Sequence, residues 1–140
     1  MDTNSIIFTC ISIALVGVLL IVVIMLTRKS TPNLDVNKYR LKWLAIEKQL
    51  VSSDLSSCQL AVMNADKLLD QALKERGTKG ETMGERMKTA KDSWSNANAT
   101  WASHKLRNKI AHESDFHVTY NDARRALAGF KQALKDMGAI

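Results

Sequence analysis

The ten residues His104–Glu113, "HKLRNKIAHE", gather side chains that can hold a phosphate and move a proton. Arg107 is a planar, permanently charged fork matched to phosphate oxygens. His112 is an imidazole whose unperturbed titration lies near neutrality. Asn108 can both donate and accept hydrogen bonds. On a helix, His104, Asn108 and His112 recur at i, i+4 and i+8 and share one edge, with Arg107 and Ala111 beside it. Lys105 and Lys109 add positive charge to the same stretch. Ala102, Leu106 and Ile110 form a separate apolar stripe, which predicts that the helix packs through those three and leaves the histidines outside. The plainer alternative is a structural edge: Arg107 could hold a carboxylate such as Asp66 or Asp70, with His112 ending the helix against its dipole.

The chain that must position this stretch is all-helical by its pattern. It opens with "IIFTCISIALVGVLLIVVIMLT", Ile6 to Thr27, 22 residues without a charge. As a helix this run covers about 33 Å, enough for a hydrocarbon core of about 30 Å. A cleaved signal peptide fits less well: no basic residue precedes the run, it exceeds a typical apolar signal core, and no small-x-small cleavage site follows. Residues 1–29 are therefore read as a transmembrane anchor. Arg28 and Lys29 follow the run directly, and only Asp2 is charged before it, so the positive-inside rule predicts an outward N-terminus and a cytoplasmic C-terminal domain at the plasma membrane. Beyond the run there are 20 basic against 13 acidic side chains, an excess of +7. Such a domain suits two polyanions, RNA and anionic lipid headgroups. The two cysteines, Cys10 in the run and Cys58 beyond it, make no disulfide framework.

Residues 30–37 read as a linker around Pro32, the one proline of the chain, and 38–140 as the domain. Five helical segments are expected, starting with about 36–51, in which Tyr39, Trp43, Ile46 and Leu50 align. The second spans about 55–76 after a Ser53 or Asp54 cap, with Gly77 as its stop. A third starts at the Thr82/Glu85 capping box, and a break falls near 95–98. The fourth covers about 99–112 and carries the opening stretch. The last starts at Thr119/Asp122, is lined by Ala123, Leu127, Phe130, Leu134 and Met137, and ends at Gly138. The tryptophans 43, 94 and 101 are expected as core anchors. The fold class is an all-α, four- to five-helix antiparallel bundle behind one transmembrane helix.

"LRNKIAH", Leu106–His112, resembles the signature of the HEPN superfamily of small helical proteins: Arg, a polar residue that is often Asn, then His, late in the bundle and before a final helix. Arg107, Asn108 and His112 match it one by one, with four residues between Arg and His. The resemblance spans roughly residues 36–137. It implies a homodimer whose two motifs meet at the interface, and metal-independent cleavage of RNA by attack of a 2′-OH on the neighbouring phosphate. In that reading His112 is the general acid/base, Arg107 the phosphate clamp and Asn108 an orienting or ribose-binding group, with His104, Lys105 and Lys109 as substrate contacts. Not every HEPN-like domain is a nuclease, and a non-catalytic, membrane-tethered interaction or assembly module is the alternative. No cofactor or metal is implied. There is no HExxH and no CxxC, and Gly77, Gly80 and Gly84 neither follow a strand nor lead into Gly-Lys-Ser/Thr.

Overall fold

A computed structural model describes residues 3–27 and 33–140. The chain divides into two units, residues 1–31 and 32–140. The first is one helix, α1 (Thr3–Thr27), apolar round its whole circumference. No side chain from Ile6 to Met25 is buried, and this stretch is long and apolar enough to cross a membrane. Its Ser12 hydroxyl donates to the Phe8 carbonyl at 2.9 Å, which satisfies a polar group without water.

The second unit is built from α2 (Val36–Gln49), α3 (Leu55–Glu75), α4 (Met83–Ala90), α5 (Ala97–His112) and α6 (Tyr120–Asp136), with a 3₁₀ turn at Lys91–Ser93. Among the described residues there is no strand. Each helix starts where a short polar side chain meets an orphan N–H. Asp35, Asp54, Thr82, Asn96 and Thr119 all cap with their own side-chain oxygens. The Thr82 box closes nearly as expected: its hydroxyl accepts from the Glu85 N–H, while the Glu85 carboxylate accepts from Glu81 N–H at 2.7 Å. Gly77 and Gly138, at φ 71° and 65°, adopt the left-handed conformation that stops α3 and α6. The packed part begins before residue 38: Leu34 is buried and Asp35 caps α2, both within the stretch read as linker. Val36 and Asn37 belong to α2, while the first residues of that linker and its basic flank, 28–32, lie outside the described residues.

The longest buried stripe belongs to α3, where Cys58, Val62, Ala65, Leu69 and Ala72 are all closed off. α3 packs against α2, α4, α5 and α6, and α5 also lies along α6. Leu55, the first residue of α3, is half-exposed and lies outside this stripe. All five expected core residues of α6 are buried. Trp43 and Trp94 are core residues, whereas Trp101 is only half-buried.

The α5 face departs from expectation. Ala102 is exposed, Leu106 and Ile110 are half-buried, and the closed face carries Thr100, Ser103 and His104. The cause is Gly129 on α6. A Cβ there would collide with the Ser103 hydroxyl and stand 2.9 Å from the Ala99 carbonyl, so the glycine lets α5 settle on α6 through its small polar side. Thr100 and Ser103 tolerate this burial because each hydroxyl donates to a carbonyl four residues back, at 3.2 and 2.8 Å.

Candidate functional site

α3 and α5 place a buried carboxylate opposite the motif. Asp66 stands on the buried face of α3, and its side chain is about one-twentieth exposed. A bare carboxylate there would be strongly unfavourable, so it needs partners. His104 Nδ1 lies 2.7 Å from its Oδ1, and Arg107 Nε lies 3.2 Å from its Oδ2. One acid on α3 thus holds two successive turns of α5. The His104 ring is nine-tenths buried and meets Trp101 edge-on, with ring centroids 6.2 Å apart.

Arg107 is held loosely. Its Nε is close enough to Asp66 for charge attraction, but the atom is buried without a hydrogen-bond partner, so its N–H does not aim at the oxygen. Nη1 donates to the Asn108 side-chain carbonyl at 3.0 Å. The side chain is 32% exposed. It lines a cleft of about 650 Å³ between α3, the start of α4 and α5, together with Asp66, Lys67, Asp70, His104 and Asn108 among others.

The remaining motif residues face outward. His112 is the last residue of α5 and is exposed, with no hydrogen bond or ion pair among the described residues, and it does not line the cleft. Lys105 and Lys109 are exposed too, and Lys109 Nζ hovers 5.6 Å from the Phe116 ring centroid. The fold therefore brings together His104, Arg107 and Asn108, and keeps His112 one turn farther along the same edge. His104, expected to touch substrate, is turned inward onto Asp66 and shows the cleft only a small part of its ring.

The same cleft contains a second acid. Burial pushes the Asp70 carboxyl up, but hydrogen bonds from Lys74 and Arg86 more than offset this and hold it below its usual range. Arg86 is almost fully closed off. Its Nε and Nη2 reach Asp70 Oδ1 at 2.9 and 2.5 Å, and Nη1 donates to the carbonyls of Gly80 and Glu81. No motif marks this pair in the sequence. The signal for Asp66 was present, an acid inside the apolar face of α3 between Ala65 and Leu69. Among the described residues no three His, Cys, Asp or Glu side chains gather as a metal site. No family model, curated protein or solved structure matches this chain.

Proposed function

We propose that the protein is a membrane-anchored, HEPN-like RNA-handling protein, held by α1 with residues 32–140 on the cytoplasmic side, that binds and cuts RNA at a homodimer interface without metal. The observation that carries this reading is the contrast within α5: Arg107 lines an open cleft with a third of its side chain exposed, while His112, one turn beyond Asn108, is exposed and uncommitted. Arg107 would clamp the scissile phosphate and stabilise the charge that develops on it. His112 would take the proton from the 2′-OH or give one to the leaving oxygen. The two residues are five apart, about 140° around a helix, so they cannot converge from one copy. A two-fold partner supplies the missing side: Arg107 of one copy works with His112 of the other. α5 and α6 offer a seat for that partner, an apolar groove of about 570 Å³ lined by Ala99, Ala102, Leu106, Ala126 and Gly129, with Asp122 and Arg125 also in its wall.

A second reading, a tethered interaction module without chemistry, is favoured by Asp66, whose grip on His104 and Arg107 would serve equally to lock α5 onto α3. Cutting of single-stranded RNA by the full chain in detergent with EDTA separates the two. Activity in the parent, lost in a folded His112→Ala variant, supports the nuclease. A folded dimer that neither binds nor cuts RNA supports the module.

A further inference from the structure

The outward face of α2 breaks the usual rule for a solvated helix. Tyr39, Trp43 and Ile46 bury one side. Diametrically opposite stand Leu41 and Leu44, 69% and 47% exposed. Neither belongs to the buried core, and together, three residues apart, they make a small apolar patch on an otherwise charged face. The charges around them are one-sided. α2 carries Lys38, Arg40, Lys42 and Lys48 against one acid, Glu47, and Glu47 is engaged by Lys131 at 2.6 Å. Lys38 and Lys42 lean back toward Glu75 and Gln71 on α3, while Arg40 and Lys48, which flank the leucines, have no acidic partner among the described residues. Leucines pointing out, bordered by cations, are the pattern of a helix lying in a membrane interface.

The covalent chain supports the same occupant. Only residues 28–35 join the end of the apolar α1 to Val36. Eight residues reach at most about 28 Å. They include Arg28 and Lys29, so the segment itself favours an anionic leaflet.

We propose that α2 is a membrane-surface helix: Leu41 and Leu44 insert among the headgroups of an anionic leaflet while Arg40 and Lys48 bind lipid phosphates. This rests on the anchoring role of α1 proposed above, but not on any activity toward RNA. Docking of α2 would hold the domain in one orientation at the bilayer.

The test uses the full chain, carrying Leu41→Cys labelled with a nitrobenzoxadiazole thiol probe and reconstituted in phosphatidylcholine vesicles with or without one-third phosphatidylglycerol. Unsubstituted chain gives the background from Cys10 and Cys58, and Lys88→Cys on α4 gives a solvent reference. Blue-shifted emission at position 41, quenched by lipids brominated high on the acyl chain, is expected in anionic vesicles only. Arg40→Glu with Lys48→Glu should lower the inserted fraction about tenfold. Resistance to alkaline carbonate extraction reports the anchor separately. A chain that resists extraction yet shows water-like emission at position 41 overturns the docking alone. An extracted chain overturns the anchor, and the tethered docking with it. A blue shift that ignores lipid charge and grows with protein density means a second copy covers the face, and overturns the proposal as well.

Discussion

Two arginine–aspartate pairs, whose aspartates both line the same cleft, are built differently. Arg86 on α4 and Asp70 on α3 form a closed pair: every nitrogen of the guanidinium has an acceptor, and the side chain is only 6% exposed. Arg107 on α5 and Asp66 on α3 form an open pair: the contact is electrostatic rather than hydrogen-bonded, one terminal nitrogen rests on Asn108, and a third of the side chain faces solvent. The closed pair ties the loop before α4 to α3. The open pair steadies an arginine without exhausting its donors, as the proposed phosphate clamp requires. Residue type alone does not distinguish an arginine whose donors are all satisfied from one that keeps donors free; the packing around each does.

Breaking the closed pair should have the largest effect. Asp70→Ala leaves Arg86 buried without its counter-charge and is expected to cost about 3 kcal/mol in urea unfolding followed by circular dichroism. Arg107→Ala removes a one-third-exposed partner and leaves His104 on Asp66, so it should cost about 1 kcal/mol. Equal losses would erase the distinction between the pairs.

Acid should break the closed pair next. The Asp70 carboxyl is held below its ordinary value of 3.8 in the folded chain. The stability it contributes is complete above that value and drains away as pH falls through the lower, folded value. Stability of the parent should therefore decline below about pH 4, and Asp70→Asn should flatten that decline while lowering stability at pH 7. An unchanged acid limb in Asp70→Asn would contradict the assignment.

The open pair should respond in binding rather than stability. In fluorescence anisotropy with single-stranded RNA, Arg107→Ala should weaken binding about tenfold, while Arg86→Lys leaves it unchanged. The smallest effect is expected from Asp66→Asn. Removing a negative charge a few ångströms from the clamp should tighten RNA binding about threefold at low salt, with the gain fading as salt rises. Weaker binding instead would mean that Asp66 positions Arg107 more than it neutralises it.

Most of the framework was legible because it depends on near neighbours in the chain. The Asp54, Thr82 and Thr119 caps, the Gly77 and Gly138 stops and the α6 stripe are all set within a few residues. The orientation of α5 was not, because it is decided by Gly129 on another helix, where the missing Cβ admits Ser103. Periodicity favoured Ala102, Leu106 and Ile110, and carries no term for a close helix crossing. His104 turns inward for a related reason, since its partner Asp66 is 38 residues away. Arg107, Asn108 and His112 stand out in the sequence by residue type and spacing, but the division between a paired arginine and a free imidazole emerges only from packing against α3.

The shared site can be tested directly by mixing two defective chains. Arg107→Ala and His112→Ala full-length proteins, each inactive alone, are combined in detergent under conditions that allow subunit exchange, and RNA cleavage is followed in EDTA. If each site joins Arg107 of one copy to His112 of the other, half the dimers are mixed and each carries one intact site, so about a quarter of parental activity returns. A mixture as inert as its components, beside an active parent, would contradict the two-copy site, and a folded parent that cuts no RNA would contradict the nuclease itself.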